Sequence, residues 1–376
     1  MNAPPAEPAH RFTALDSLRG IAALGVAVHH IQATSGPATW PLFAHGQLFV
    51  DFFFVLSGFV IAASYGERLA KGFPLRRFAV LRVGRVWPLH AFMVLLGLAL
   101  EVLSLAIRPR GLSASAPFTG LNDPLHAFTA LFLLDGMIPG WSNYYSRAGW
   151  TISVELLLYA LAALAFRRGR SGLIAFAVLA IAALAAMFAG CDAPLATNAV
   201  QRGLTGFALG TACWFVHRRF EGEGLPMATL AEAAALLALL TVIAFPPGPF
   251  PTLPVIAASA LVVLVFAQQQ GTISRVLCRN PWVWLGQVSY ALYMVHAMVK
   301  GRAIDIAILA SQSFQMPIAQ WSIDGDTPVK QLTLAPLPST LLQLVIVALM
   351  LLAAHFAHRW IEEPARQWSR RLAGRL

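Results

Sequence analysis

Residues 11–30, RFTALDSLRGIAALGVAVHH, decide the fold: an ionic head of Asp16 and Arg19 opens an apolar stretch that closes on a histidine pair, His29 and His30. The spacing predicts a membrane-spanning helix with chemistry at both ends. At about 100° per residue, the eleven positions from Arg19 to His30 make three turns plus 20°, so the two side chains share one face about 16 Å apart along the axis. His29 points about 100° away from that face. A cation or titratable ring within a span costs roughly 2.5–3.5 kcal/mol on insertion scales, so such groups face a protein interior or a wet cavity. The same stretch also suits a histidine that only fixes helix packing.

Outward from this helix the apolar theme continues. Of 376 residues, 58% are hydrophobic and 12% charged, and the mean hydropathy is +0.66. A soluble domain carries roughly 25% charged residues, so the expected class is an all-α polytopic membrane protein. Runs long enough to cross about 30 Å of hydrocarbon fall at 15–34, 47–66, 86–107, 150–166, 171–190, 199–217, 227–246, 252–268, 281–300 and 338–358. They predict ten transmembrane helices in one domain, residues 1–376, with a short N-terminal segment 1–14 and a basic tail 359–376 on the same side. No basic stretch leads into a short apolar run with a small-residue cleavage site, so the first span is expected to stay in the mature chain. Cys191, Cys213 and Cys278 are scattered and odd in number, which argues against a disulfide framework or a cysteine metal site and suits packing residues.

Charge sets the expected orientation. Arg11, Arg19, Arg68, Lys71, Arg76, Arg77, Arg82, Arg85, Arg167, Arg168, Arg170, Arg218, Arg219, Arg275, Arg279 and the five arginines from Arg359 onward fall on the side of the termini, twenty of the 27 Lys and Arg. The positive-inside rule assigns that side to the cytoplasm. The net charge of +10 therefore reads as topology, and no nucleic-acid partner is expected. The apolar piece 125–134 is too short to cross and reads as a re-entrant or surface segment. The long connections 108–149 and 301–337 fall on the outer side with Trp141, Asn143, Tyr144, Tyr145, Gln315, Gln320, Trp321, Asp324 and Asp326, aromatic and amide groups that suit a polar ring or ordinary loop chemistry.

Within the spans, four constellations stand out. Asp51 opens VDFFFVLSGFVIA (50–62), and in a hairpin of the first two spans it lies at the depth of His30. A carboxylate on one imidazole nitrogen fixes the tautomer and leaves the other nitrogen as base; an N-cap role for Asp51 fits equally. Arg76, Arg77, Arg82 and Arg85 stud RRFAVLRVGRVWPLH (76–90), with Arg82 and Arg85 on one face as forks for phosphate, whether on a ligand or a lipid headgroup. GWTISVELLLYA (149–160) brings Trp150 and places Glu155 and Tyr159 on one face, with Arg202 of a later span as a possible counter-ion of Glu155. LGQVSYALYMVHAMVK (285–300) aligns Ser289, Tyr293 and His296 as a polar stripe.

Taken in order, LDSLRGIAALGVAVHH, VDFFFVLSGFVIA, RVGRVWPLH, WTISVE, VSYALYMVHAMV and IEEPARQW closely resemble acyltransferase family 3, and the resemblance covers nearly the whole chain. It implies a ten-span membrane enzyme moving an acyl group, often acetyl from acyl-CoA, onto polysaccharides, other glycoconjugates, lipids or macrolides. It carries the family's essential arginine to Arg19, its histidine to His30, the SGF element to Ser57, Gly58 and Phe59, the arginine motif to Arg82 and Arg85, and the glutamate to Glu155. His90 stands where tyrosine is usual, so no role passes to it. The esterase-like periplasmic domain of some members is absent, which leaves room for a separate periplasmic partner protein.

The expected enzyme therefore binds no cofactor tightly and uses acyl-CoA as donor substrate, its phosphates held by Arg19, Arg77, Arg82 and Arg85. Arg202, Tyr293, His296 and Trp150 are expected around a glycan, glycoconjugate or lipid acceptor. His30, oriented by Asp51 or Glu155, is the expected general base, with Ser57, Tyr293 or a backbone amide as oxyanion donor. Acyl-His30 or acyl-Ser57 intermediates are the alternative route. A proton-coupled transporter or flippase is the competing class, because intramembrane His, Asp, Glu and Arg also mark translocation paths.

Overall fold

The computed structural model describes residues 12–107, 118, 123–140, 148–324 and 327–376. Every expected apolar run is helical: α1 Thr13–His29, α2 Phe49–Ile61, α3 Leu75–Ile107, α4 Pro124–Leu131, α5 Gly149–Arg167, α6 Gly169–Phe188, α7 Asn198–Arg219, α8 Ala228–Ala244, α9 Thr252–Ala267, α10 Trp282–Phe314, α11 Pro336–Ala357 and α12 Glu363–Gly374. Local signals set several starts: Asp123 caps α4 through Leu125 N, Thr197 caps α7 through Val200 N, and α4 and α11 carry proline in the first turn. Such residues satisfy or remove the orphan amides of the first turn.

Among the described residues, five helical stretches are long and apolar enough to cross a membrane: Gly46–Ala70, Leu75–Leu105, Gly149–Arg167, Gly169–Phe188 and Pro336–Gly374. Length and composition alone therefore support five of the ten expected crossings. α8 and α9 have 17 and 16 residues and α1 has 17, while α7 carries Arg202, His217, Arg218 and Arg219, and α10 carries Lys300, Arg302 and Asp305. A helix surrounded by other helices can hold such groups, because its neighbours rather than lipid solvate them.

The connection expected over 301–337 is also more ordered than a loop. α10 runs on to Phe314, and an antiparallel hairpin follows, β1 Ala319–Asp324 and β2 Thr327–Leu332, in the register Ala319 to Leu332 and Trp321 to Lys330. Lys330 lies over the Trp321 ring at 4.8 Å, and Leu332 exchanges backbone bonds with Gln32 and Thr34. The hairpin is thereby tied to the chain just past His30. Trp141, Asn143, Tyr144, Tyr145 and Asp326, named above for polar ligands, lie outside the described residues. Of the cysteines, only Cys213 is buried; Cys191 and Cys278 are exposed, so packing does not account for them.

Two close crossings organise the core. α1 packs along α10 where Gly20 faces Leu285 and Gly286 faces Asp16; a Cβ on Gly20 would stand 2.6 Å from the Leu285 carbonyl carbon. α2 packs along α7 where Gly58 meets the Phe207 carbonyl. Small residues at such points let backbones approach, which is how helices associate in lipid. The basic segment 76–85 and the third span form one continuous helix, α3, with Pro88 inside it unable to donate to Gly84. The tail after α11 is a π-helical turn, His358–Glu362, and α12, which is docked on α3 with Ser369 against Gly84.

Candidate functional site

Three cavities follow one another along the bundle. The first, about 570 Å³, lies at the α12 end and is lined by Asp16, Arg19, Arg85, Tyr290, Glu362, Glu363, Arg366 and Arg370 among others. The second, about 90 Å³, shares Arg19, Leu56, Val60, Arg85 and Tyr290 with it and adds Ser57, Arg82, Glu155, Tyr159, Ser289 and Tyr293. The third, about 340 Å³, shares Val50 and Tyr293 with the second and contains His30, Gln47, Asp135, Trp150, Asp192, Asn198, Arg202 and His296. The sequence is a wide vestibule, a narrow waist and a wide outer chamber.

Arg19 is fixed between vestibule and waist. Its Nε donates to Ser289 Oγ at 2.9 Å, Nη2 donates to the Gly286 carbonyl at 3.1 Å, and Nη1 pairs with Asp16 at 3.1 Å. Ser289 and Tyr293 continue along α10 to His296, so the polar stripe expected on that helix runs from Arg19 to the outer chamber. There the His30 and His296 ring centroids are 4.8 Å apart. His30 Nδ1 lies 2.9 Å from the Val26 carbonyl and His296 Nδ1 lies 2.7 Å from the Tyr293 carbonyl. A carbonyl only accepts, so each Nδ1 carries a proton, and in the neutral ring the lone pair is then on Nε2. His29 instead donates from Nδ1 to Phe43 at 2.8 Å and holds the 41–44 turn.

The expected carboxylate behind His30 is not there. Asp51, fully buried, takes two bonds from Arg202, Nε to Oδ1 and Nη2 to Oδ2, each 3.0 Å. A planar guanidinium satisfies both oxygens at once, so it outcompetes a single imidazole nitrogen. Arg202 is therefore the counter-ion of Asp51 and not of Glu155, and it also lies over the Trp150 ring at 5.9 Å. Glu155 sits in the waist, where Ser57 Oγ donates to Oε1 at 2.8 Å and the Tyr159 hydroxyl donates to the same oxygen. Neither acid orients His30; the tautomer is set by the backbone one turn earlier. The Ser57 proton is likewise committed to Glu155 rather than offered as an oxyanion donor.

The arginines of α3 divide. Arg82 donates to the Tyr65 hydroxyl at 2.9 Å and lies over the Tyr65 ring at 4.6 Å. Arg85 faces the junction of vestibule and waist and makes no hydrogen bond or ion pair with the described residues. Arg77 lines none of the three cavities and instead lies over the Phe73 ring at 5.5 Å. Arg77 is thus set apart from Arg82 and Arg85, because a helix of 33 residues sends successive arginines to different faces.

Several lining residues escaped the sequence reading. Asp135, in the 3-10 turn Asp135–Met137, is 1% exposed, accepts a bond from Thr129 at 3.1 Å through Oδ1, and leaves Oδ2 without a hydrogen bond. Burial pushes its carboxyl up to about 6, the Thr129 bond opposing. One acid after an apolar run gives no periodic signal. Glu362 and Arg366 fall within IEEPARQW and Arg370 among the tail arginines, but only their four-residue spacing, that of one helix face, hinted that they line a common cavity.

A family model, the acyltransferase domain, matches residues 12–361. A protein of Rhizobium radiobacter described as protein 2 in the picA locus is 36% identical over 156 residues, covering 36% of this chain and 78% of that protein. No solved structure matches the chain. The match covers every lining residue of the waist and the outer chamber and those of the vestibule up to His358, and the chain belongs to acyltransferase family 3, a family of acyl-transferring membrane enzymes.

Proposed function

We propose that the protein is a ten-helix inner-membrane O-acyltransferase that takes an acyl group, acetyl in the simplest case, from cytoplasmic acyl-CoA and passes it to a hydroxyl of a glycan or glycoconjugate. The observation that carries this reading is the row of three cavities with shared lining residues, from the arginine-lined vestibule, past a waist of about 90 Å³, to the outer chamber of His30. The nucleotide end of the donor stays in the vestibule while its extended pantetheine arm lies in the waist. The polar outer chamber, with Gln47, Asp135, Asp192 and Asn198 beside the Trp150 ring, suits a hydroxylated ring. The excess of Lys and Arg on the side of the termini supports placing the vestibule in the cytoplasm.

The chemistry follows from the tautomer. His30 Nε2 takes the proton of the acceptor hydroxyl as its oxygen attacks the thioester carbonyl. The C–O bond forms, the C–S bond breaks, and the imidazolium returns its proton to the departing thiolate, so CoA leaves as the thiol. Tyr293, which lines both waist and chamber, is placed to donate to the developing oxyanion.

A flippase reading has less support, since the family to which the chain belongs transfers acyl groups. The test is purified protein in membranes carrying the native acceptors, supplied with acetyl-CoA labelled in the acetyl group. Equal release of free CoA and acquisition of label by an acceptor is the expected result. Binding without CoA release contradicts the transferase reading.

A further inference from the structure

The vestibule holds four guanidinium groups, and they are not equivalent. Arg19 is spent on Asp16, Ser289 and Gly286. Arg85 makes no hydrogen bond or ion pair with the described residues. The other two come from α12: Arg366 shares Glu362 at 3.7 Å and Glu363 at 3.5 Å, both longer than a hydrogen bond, and Arg370 is exposed and makes no ion pair with the described residues. From the 76–85 segment only Arg82 and Arg85 reach any of these cavities, and Arg82 opens into the waist alone. Spaced by four, Arg366 and Arg370 share the α12 face turned into the vestibule, whereas Arg371 and Arg375 line none of the cavities.

We propose that α12 is part of the donor site: Arg366 and Arg370, together with Arg85, bind the phosphate groups at the nucleotide end of acyl-CoA, and the Gly84–Ser369 contact holds the helix in position to do so. The assignment rests on the acyl-CoA reading above. It gives the C-terminal helix a ligand in addition to the membrane surface that its exposed Trp368 and basic residues already suit. Guanidinium forks match phosphate oxygens bidentately, which a scattered surface charge does not. At the mouth of a cavity of about 570 Å³ they can meet a nucleotide without entering the bundle. Glu362 and Glu363 then hold Arg366 in place until the ligand arrives, since their long contacts leave its remaining donors available.

The test uses the full chain in phosphatidylcholine nanodiscs and titrates CoA itself, with 3′-dephospho-CoA and ADP as shorter probes. Arg366→Ala/Arg370→Ala is expected to weaken CoA binding by roughly ten- to a hundredfold, with Arg370→Lys intermediate. Arg371→Ala/Arg375→Ala removes the same charge from the same helix and is expected to leave binding unchanged. Gly84→Val, which drives a side chain into Ser369, is expected to weaken binding with all arginines present. Equal loss in the two double variants overturns the proposal in favour of surface electrostatics, and no loss in either places the phosphates elsewhere while the acyl-CoA reading stands. A parent protein that ignores CoA, yet is stabilised by phosphatidylglycerol in the nanodisc through Arg366 and Arg370, overturns the donor reading itself and makes a lipid headgroup the ligand.

Discussion

His30 and His296 stand ring to ring, their centroids 4.8 Å apart, and each donates a hydrogen bond from Nδ1 to a backbone carbonyl three or four residues earlier in the chain. The pairing crosses from α1 to α10, the two helices that meet at Gly20 and Gly286, so helix packing brings the rings together and the backbone sets their tautomers. A neutral ring beside another neutral ring is compatible with one proton being taken up at a time; two imidazolium ions at that distance repel.

Removing the base is the first consequence. His30→Ala is expected to lower the transfer rate by roughly 10²–10⁴-fold, the range for a lost general base, with unchanged abundance in the membrane. His29→Ala is expected to have a much smaller effect on rate, since its Nδ1 serves the Phe43 carbonyl. Initial rates with acetyl-CoA, normalised to protein in the membrane, separate the two. Equal losses remove His30 as the base.

Asp51 and Arg202 are a buried pair, and breaking a buried pair strands a charge. Asp51→Asn or Arg202→Gln alone is expected to destabilise the protein by about 3–5 kcal/mol. The double substitution is expected to cost less than the sum, because neither charge is left alone. Thermal unfolding of the four proteins in one detergent measures the coupling, and strict additivity contradicts the pair.

The helices were legible in the sequence because hydropathy acts locally, and all ten apolar runs became helices. Partnerships between helices were not. Asp51 and Arg202 are 151 positions apart, and no periodicity says which of two acids an arginine will meet. His30 illustrates the same limit: its face was predictable from 100° per residue, whereas its neighbour His296 depended on how α1 crosses α10. α10 itself continues beyond the apolar run because the hairpin β1–β2 packs on its end, a tertiary effect that overrides composition.

Asp135 gives a pH dependence with a definite sign. Its carboxyl is pushed up to about 6 by burial from an ordinary 3.8, so the folded state holds the proton more tightly than the unfolded one. Stability from this group is present below about pH 4 and is lost as pH rises to about 6, at most about 3 kcal/mol. Asp135→Asn is expected to flatten that stretch of the stability profile. Thermal unfolding between pH 4 and 7 reads it, and a parent profile that rises through this window in step with the variant contradicts the assignment.

On the donor side, Arg85 and Arg77 make opposite predictions although they lie on one helix. Arg85→Ala is expected to raise the apparent KM for acyl-CoA by roughly ten- to a hundredfold, the loss of one charge-assisted phosphate contact. Arg77→Ala is expected to leave it within about twofold, its guanidinium lying over Phe73 and lining none of the three cavities. Steady-state kinetics at two salt concentrations distinguishes them, since the Arg85 contact also weakens with ionic strength.

The central claim is that the donor enters from the vestibule and the acyl group leaves from the chamber of His30. Sealed vesicles of opposite orientation, prepared from cells making the protein, test it directly with membrane-impermeant acetyl-CoA labelled in the acetyl group. Label is expected to reach acceptor material only in vesicles that expose the α12 side to the donor, to lie on the opposite side of the membrane, and to be lost in His30→Ala. Equal labelling from either side, or labelling retained in His30→Ala, contradicts the account.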